Sequence, residues 1–433
     1  MKRLLAAAAL LAMTASPALG LDRKEQAMIA AVDQEAARAE ALLETLVNVN
    51  SGTLNLKGVE TIGAMMKAEL EPLGFAVRWV PMGETQRAGH IVAEKRGRGT
   101  KMLLIGHLDT VFEPTSPFQT YKKLSPTKAE GPGVNDMKGG LVVMLQALRA
   151  MKAAGALKDA NVTIVLTGDE ERVGRPLEIA RRDLRKAAER ADIALEFETL
   201  AQVDGVDHAS ISRRGGTQWR LEVSAVSGHS SRIFSDRLGN GAIFEMARIL
   251  DAFRRELRPE PYLTYSVGVV LGGAQASFGP DGTGGSASGK SNIIPGVALA
   301  YGDIRTLTIA QADKIKEKMR AIAAQSLPGA KATLTFGDSG PGMPPTDGSR
   351  KLMAQLNAIN AELGLPAMPE LDPMMRGGGD ISDVAHLIEG GLVGTGAAGD
   401  GAHAAGETVD LTSLPRQAKR AAILMYRLSK ERR

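Results

Sequence analysis

Short apolar segments alternate with amphipathic segments through the first two hundred residues, and this alternation constrains the fold more than any other feature of the sequence. The apolar runs have the length of strands, and the longer amphipathic runs have helical periodicity. The strand candidates are 75–80, 90–93, 101–105, 162–167 and 193–197, and the helix candidates are 24–47, 57–73 and 138–152. This order predicts an α/β fold with a largely parallel sheet.

Three of the predicted strands end on imidazole or carboxylate residues. In chain order these are His107 and Asp109 after 101–105, Glu170 and Glu171 after 162–167, and Glu198 after 193–197. Ligands of parallel sheets bind just beyond the carboxyl ends of the strands. The coincidence therefore indicates a functional site at that edge of the sheet.

His107 and Asp109 form a His-x-Asp pattern. An imidazole that binds a metal usually donates its other N–H group to a carboxylate, which fixes the tautomer of the ring. The pattern predicts His107 as a metal ligand and Asp109 as the residue that orients it. A structural His–Asp pair is the alternative, and these two residues alone do not decide between them.

Glu170 and Glu171 are adjacent carboxylates at the end of a buried strand. Two such groups repel each other unless a cation or a proton lies between them. A metal site would resolve the repulsion, because one carboxylate would bind the metal while the other acts as a general base on water. A solvated acidic turn is the alternative.

Asp136 and His403 complete the set of candidate ligands. Asp136 lies in the glycine-rich segment 131–140, where it also fits an N-cap of the following helix. His403 lies in a Gly/Ala-rich loop rather than on an apolar helix face, which favours function. Imidazole and carboxylate ligands suit zinc, and also manganese or cobalt. Two metals that share one carboxylate are a known arrangement for amide hydrolysis.

The composition excludes several other classes of site. The sequence contains no cysteine, so thiolate ligands, a cysteine nucleophile and disulfides are all excluded. Any zinc must therefore be held by His, Asp and Glu. The 53 basic and 49 acidic residues nearly balance and aromatic residues make up 4%, so we expect no nucleic-acid binding.

Residues 1–20 have the pattern of a cleaved export signal. Lys2 and Arg3 precede a short apolar run, and Ala18 and Gly20 are small residues at the offsets expected for cleavage after Gly20. The alternatives are an N-terminal helix or an uncleaved anchor. The sequence predicts a periplasmic protein without stable membrane insertion, since no later segment is long and apolar enough to span a bilayer.

The pattern of elements changes near residue 207. Two helix candidates and a few alternating strand candidates between 207 and 324 predict a small inserted α+β domain, which includes a Gly/Ser-rich loop at 272–289. We expect residues 325–433 to rejoin residues 21–206 in one catalytic, metal-binding domain.

At these residues the sequence resembles a two-zinc metallopeptidase and deacylase family. Its members include glutamate carboxypeptidase, aminoacylase, acetylornithine deacetylase and succinyl-diaminopimelate desuccinylase, and the glutamate carboxypeptidase branch is the most similar. The likeness runs from Asn48 to Leu411. Its motifs, in order, are Gly106-His107-Leu108-Asp109, Gly131-Pro132-Gly133 through Gly140, Asp169-Glu170-Glu171, Phe197-Glu198, Gly228-His229-Ser230, Ser291-Asn292-Ile293-Ile294-Pro295 and Gly401-Ala402-His403.

The resemblance implies a fold and a role for each matching residue. The fold would be a zinc-exopeptidase-type mixed sheet flanked by helices, with the insert as a lid and dimerisation domain of a homodimer. Asp136 would bridge two zinc ions, for which cobalt or manganese are substitutes. His107 and Glu198 would complete one site, and Glu171 and His403 the other.

The remaining roles concern the reaction and its substrate. Glu170 would be the general base on the water that bridges the metals, and Asp109 would orient His107. His229 would stabilise the oxyanion across the dimer. Asn292 and Arg305 would hold the substrate, with the guanidinium of Arg305 on a free carboxylate.

The implied reaction is hydrolysis of an amide next to a free carboxylate, which releases a C-terminal residue from a peptide or an N-acyl amino acid. Glutamate is one candidate for that residue. Deacylation of an N-acyl amino acid at the same site and a non-catalytic peptide-binding protein are the alternatives. The sequence departs from the most similar branch at Thr199-Leu200, at 230–234, at Asp380-Ile381 and in the loop 272–289, all on the expected substrate side.

Overall fold

The structure is a computed structural model that describes residues 20–279, 282 and 284–431. The export signal predicted for residues 1–20 therefore lies outside the described residues except for Gly20.

In the described part of the chain, the helices α1 to α10 are Arg23–Gln34, Ala36–Val47, Leu56–Leu70, Gly140–Ala153, Leu177–Ala180, Arg182–Ala188, Ala242–Leu257, Ile309–Ala324, Asp347–Glu362 and Ser413–Lys430. The strands β1 to β20 are Ala76–Pro81, Gly89–Lys95, Arg98–His107, Lys122–Ser125, Lys128–Glu130, Ala160–Thr167, Ile193–Glu196, Ala201–Val203, Val206–His208, Gly215–Ala225, Gly228–His229, Thr264–Gly273, Gln275–Phe278, Gly285–Ser288, Ile293–Ile294, Val297–Thr306, Ala330–Gly340, Gly390–Val393, Gly399–Asp400 and Thr408–Asp410.

A six-stranded mixed sheet forms the centre of the larger part of the fold. Its strand order is β1-β2-β6-β3-β7-β18. The four strands from β6 to β18 are parallel, and β1 and β2 are antiparallel additions at one edge. The α/β class predicted from the sequence is confirmed, because the predicted strands at 101–105, 162–167 and 193–197 are three adjacent members of the parallel part.

Both faces of this sheet are buried, as expected for parallel strands covered by helices. Along β3, Met102 and Leu104 pack into one apolar cluster, while Leu103 and Ile105 pack into another on the opposite face. Helices α1, α4 and α10 cover the first face and contact one another there. Since both faces are filled by protein, the carboxyl edge of the strands is the part of the sheet that is left for a site.

A second sheet lies in the middle of the chain. It is antiparallel, with the order β12-β16-β10-β17, and its apolar face packs on α7 and α8. The predicted insert ended at residue 324, but β17 pairs with β10 along its whole length, so 330–340 belongs to the second sheet. At the other boundary, Ala209 and Ile211 pack into the cluster of the first sheet. The division into two domains stays a prediction, with these shifted limits.

Two local predictions differ in detail from the structure. The helix predicted at 24–47 is two helices, because the chain breaks at Glu35 between α1 and α2. Helix α1 begins with a capping box in which Asp22 accepts from the backbone of Glu25 and Glu25 accepts from that of Asp22. The loop at 272–289 contains the hairpin β13–β14. Phe278 of this hairpin contacts Tyr301 on the sheet.

Among the described residues, no helix is long and apolar enough to cross a bilayer.

Gly140 marks the closest approach between α4 and the central sheet. It is the first residue of the helix, and a Cβ atom built on it would lie 1.8 Å from the carbonyl oxygen of Phe197. A side chain at this position would push apart the start of α4 and the segment that follows β7. The position therefore requires glycine for packing rather than for an unusual backbone angle.

We expect Gly140→Ala to lower the free energy of unfolding by about 1–3 kcal/mol, because the added methyl group overpacks a buried contact. Gly83→Ala is the control, since nothing lies within 4 Å of the Cβ position of Gly83. Urea unfolding of both variants measures the effect. Equal midpoints for the two variants would contradict this account of Gly140.

Candidate metal centre

Five side chains from distant parts of the sequence meet at the carboxyl edge of the central sheet. His107 is the last residue of β3, Glu171 follows β6, and Glu198 follows β7. Asp136 precedes α4, and His403 lies in the loop between β19 and β20. The structure thus brings together all five residues that the sequence suggested as metal ligands.

The five side chains form two groups that share Asp136. In the first group, His107 Nε2 lies 3.2 Å from Asp136 Oδ1 and 3.2 Å from Glu198 Oε1. In the second, His403 Nε2 lies 3.2 Å from Asp136 Oδ2 and 3.0 Å from Glu171 Oε2. Within each group the potential ligand atoms lie within 4.8 Å of one another. Asp136 therefore offers one carboxylate oxygen to each group.

The donor set fits two divalent cations. Each Nε2 atom faces two carboxylate oxygens, although an imidazole nitrogen carries at most one proton. Glu171 Oε1 is buried and has no hydrogen-bond partner among the described residues. A cation in each group would satisfy these oxygens, and mixed imidazole and carboxylate ligands are those that zinc accepts.

Asp109 orders the neighbouring backbone as well as His107. The Nδ1 atom of His107 lies 3.0 Å from the carbonyl oxygen of Asp109 and 3.5 Å from its carboxylate. That carboxylate accepts hydrogen bonds from the backbone N–H groups of Glu170 and Glu171 and from the hydroxyl of Thr53. Asp109 therefore fixes the turn that carries both glutamates, a role that the His-x-Asp pattern did not indicate.

The crowding of carboxylates shifts the pKa values of the site in opposite directions. Burial raises the pKa of Glu170 well above its ordinary value, and the charges of Glu198, Asp380 and Glu171 add to the effect while His107 opposes it. Hydrogen bonds to Asp136 and Glu171 raise the pKa of His403 to about 11. The site therefore strongly favours positive charge at its centre and a proton on Glu170.

Burial acts to lower the pKa of His107, but hydrogen bonds to three carboxylates raise it well above the ordinary value. Burial acts to raise the pKa of Asp136, but hydrogen bonds from His107 and His403 hold it below its usual range. Asp136 is consequently ionised and able to act as an anionic ligand on both sides.

Glu407 holds the loop that carries Asp136. Its carboxylate is fully buried and accepts the backbone N–H groups of Gly133, Asn135 and Asp136 at 3.0, 2.8 and 2.8 Å. Burial is the main cause that raises the pKa of this carboxyl to about 7. Sequence reasoning missed Glu407, because only the fold brings it to a loop about 270 positions away.

A layer of buried ion pairs lies next to the candidate ligands. Glu196 binds Arg213 at 2.6 Å and accepts the backbone N–H of Ile381 at 2.7 Å. Arg181 contacts Asp169, Asp380 and Asp383 at 2.6 to 3.2 Å. These residues were also missed, although their position beside the predicted ligands in sequence was a signal for Asp169 and Glu196.

The three residues predicted to act on the substrate lie in or beside the second sheet. His229 and Asn292 are neighbours, since Ser230 N donates to Asn292 O at 3.0 Å, but His229 is exposed and belongs to neither metal-ligand group. Arg305 lies on β16 and binds Asp303 at 2.8 Å. It also lies beside Gly377, where a Cβ would be 3.2 Å from Arg305 Nη1. Of these three residues, only Arg305 is thus placed against the 373–383 segment.

Comparisons with known proteins agree with this fold. The model of peptidase family M20/M25/M40 matches residues 103–427. Carboxypeptidase G2 from Pseudomonas sp. (strain RS-16) is 27% identical over 421 residues, which cover 96% of this chain and 95% of that protein. Succinyl-diaminopimelate desuccinylase from Gluconacetobacter diazotrophicus is 26% identical over 347 residues, covering 76% and 83%.

Solved structures share the fold at lower identity. A tripeptidase from Staphylococcus aureus superimposes with a TM-score of 0.71 at 19% identity and covers 92% of this chain and 99% of its own. A dinuclear metal-binding M20 peptidase from Bacillus subtilis gives a TM-score of 0.61 at 17% identity, with 91% and 98% coverage. The predicted resemblance is confirmed. The chain therefore belongs to peptidase family M20/M25/M40, and its two candidate metal-ligand groups are joined through Asp136.

Proposed function

We propose that this metallohydrolase uses two zinc ions to hydrolyse an amide bond next to a free carboxylate. It would release a C-terminal residue, with glutamate as one candidate, from a peptide or an N-acyl amino acid. The observation that carries the proposal is the position of Asp136, which presents one oxygen to each of two histidine-containing groups beside Glu170. The similarity to carboxypeptidase G2 over nearly the whole chain supports the choice of carboxypeptidase activity.

His107, Asp136 and Glu198 would hold one ion, and Asp136, Glu171 and His403 the other. Zinc suits these ligands, and cobalt or manganese would be substitutes. When bound, such ions polarise the amide carbonyl and make water more acidic. Asp109 keeps the imidazole of His107 and the turn of Glu170 and Glu171 in place, so that the metal ligands and the general base hold their positions.

Glu170 is proposed as the general base. It lies among the candidate ligands without belonging to either group, and its raised pKa means that its ionised form is a stronger base than an ordinary carboxylate. Cations held by the neighbouring ligands would favour that ionised form. It would take a proton from the attacking water and deliver it to the leaving amine. Because its backbone N–H is bound by Asp109, its main chain stays in one place during both transfers.

Substrate contacts are proposed for Asn292, Arg305 and His229. His229 is exposed and lies outside both metal-ligand groups of its own chain, which supports the proposal that a second copy supplies it. The edge strand β12 and helix α7 expose apolar side chains, including Val270 and Phe244, that would suit the interface of a homodimer. In that dimer, His229 would stabilise the oxyanion.

The periplasm is the proposed location. It is supported by the charged start, the short apolar run and the small residues at 18 and 20.

A deacylase of N-acyl amino acids is the second candidate. The similarity to succinyl-diaminopimelate desuccinylases favours it. The same ligands and the same Glu170 would serve both reactions, so the residue on the acyl side of the amide distinguishes them. Assays on dipeptides and on matching N-acyl amino acids separate the two candidates, since a requirement for a penultimate amino acid would exclude the deacylase.

We expect Glu170→Gln to lower kcat by about 10²–10⁴-fold, because the amide cannot accept a proton from water. The substitution keeps the size of the side chain, so metal content and thermal stability should remain close to those of the unaltered protein. Steady-state kinetics on the zinc-loaded protein measure the effect, with Glu317→Gln, an exposed glutamate of α8, as the control. Unchanged kcat in Glu170→Gln would refute the assignment of the base.

Removal of the metals should abolish hydrolysis, and zinc or cobalt should restore it. Chelation should also lower the midpoint of thermal unfolding, since an ion that binds only the folded state stabilises it.

We expect His403→Asn to bind about one zinc ion per chain instead of about two, because it loses a ligand of one group only. His386→Asn, which alters an exposed histidine, is the control for elemental analysis. Full zinc content in His403→Asn would show that His403 is not a ligand.

A further inference from the structure

Arg376 is a guanidinium beside the metal centre that has no acidic partner of its own. It precedes the three glycines at 377–379, and its side chain donates a hydrogen bond to the carbonyl oxygen of Thr199, the residue after Glu198. Among the described residues, no carboxylate oxygen forms an ion pair with Arg376 within 4.0 Å. Its charge is therefore held at the edge of the site by one neutral carbonyl group.

Arg181, Arg213 and Arg305 in this region differ in this respect. Arg213 binds Glu196 at 2.6 Å, Arg181 binds Asp169 at 2.6 Å, and Arg305 binds Asp303 at 2.8 Å. Among the described residues Arg214 also forms no ion pair, and it donates to the hydroxyl of Thr264 and the carbonyl of Met374. A desolvated cation without an anion is destabilising. An unpaired one next to a candidate active site is therefore more easily explained by a ligand than by the stability of the fold.

The charges around Arg376 are consistent with a missing anion. Burial lowers the pKa of Arg376 to about 10, and the charge of Arg213 acts in the same direction. Glu198, Glu196 and Asp136 oppose this effect without cancelling it. Cations bound by Glu198 and Asp136 would neutralise part of the negative charge that these carboxylates direct at Arg376. The need for an additional anion at Arg376 would then increase.

The backbone on both sides of Arg376 is held in place. Arg214 Nη2 donates to the carbonyl of Met374 at 3.0 Å, and Arg213 Nε donates to that of Gly377 at 2.8 Å. A Cβ atom at Gly379 would lie 2.2 Å from Arg213 Nη1, so the segment fits closely against this arginine. The backbone of Arg376 is therefore in place before any ligand binds, and the hydrogen bond to Thr199 orients its guanidinium, which reduces the entropy lost on binding.

We propose that Arg376 binds the free carboxylate of the substrate and so selects substrates in which a free carboxylate is next to the scissile amide. This inference rests on the proposed function and names the residue that recognises its substrate class. The planar guanidinium matches a carboxylate in two parallel hydrogen bonds. A carboxylate on Arg376 would lie near Thr199, in the segment that follows β7, beside Glu198. Arg305, already bound to Asp303, would then contact a more distant part of the substrate.

The test compares N-benzoyl-glycyl-L-glutamate with the same compound carrying an α-carboxamide. Both probes contain the side-chain carboxylate, so they differ only in the group assigned to Arg376. Hydrolysis is measured with the zinc-loaded protein, and equilibrium binding with zinc-loaded Glu170→Gln. We expect the free acid to be preferred by about 30-fold or more in both assays, in line with the loss of a desolvated charge pair.

Arg376→Ala should remove this preference through KM and Kd rather than kcat, and Arg376→Lys should keep part of it. Arg305→Ala should keep most of the preference. Arg258→Ala, which alters an exposed arginine directly after α7, should keep all of it. Zinc content and thermal unfolding show whether each variant folds. If Arg376→Ala misfolds, Arg376→Lys decides, because its single ammonium cannot form the paired hydrogen bonds.

The possible failures are distinct. The inference would be overturned, with the proposed function left intact, by either of two results. In the first, a folded Arg376 variant hydrolyses the substrate and still prefers the free acid over the carboxamide. In the second, Arg305→Ala alone removes that preference. Absence of hydrolysis, together with Arg376-dependent binding of the free acid, would refute the proposed function and support the inference. Equal binding of both probes by Glu170→Gln would overturn the inference directly.

Discussion

The carboxylate of Asp136 lies between two imidazoles that come from opposite parts of the chain. One imidazole ends a central strand, and the other lies in a loop near the C-terminus. This arrangement concentrates negative charge at one point, and a bare protein can stabilise that charge only by keeping protons on the histidines and on Glu170. The buried ion pairs, the hydrogen bonds of Glu407 and the contact at Gly140 all act to hold this point in place.

The candidate ligands could be predicted because a parallel sheet brings the ends of its strands to one edge. His107, Glu171 and Glu198 each follow a strand whose apolar run is visible in the sequence. Asp136 and His403 follow no such strand. Their glycine-rich surroundings made them candidates, and the resemblance to a family then implied their roles as ligands. Local pattern and family likeness were therefore both needed to assemble the five residues.

Other parts of the structure depend on contacts that a sequence pattern does not encode. Glu407 acts on a loop far away in the chain, and nothing in its surroundings distinguishes it from a surface glutamate. Arg376 is notable for lacking an acidic partner, as Arg214 also does, and this becomes visible once Arg181, Arg213 and Arg305 are seen to have theirs. The boundary predicted at residue 324 separates β17 from β10 although the two strands pair, because this pairing is a long-range choice that strand propensity does not determine.

The last fifth of the chain supplies β18 at one edge of the central sheet, His403 at the metal centre and helix α10 across α1 and α4. These contacts join residues from about 200 to about 400 positions apart, so the pairings made by this part of the chain close long loops. Long loops of this kind slow folding. During synthesis, which proceeds from the N-terminus, the chain would therefore carry an open sheet and an incomplete set of ligands until its final helix docks. Synthesis and assembly of the site would then be separated in time, and truncation at the C-terminus would remove the fold and the chemistry together.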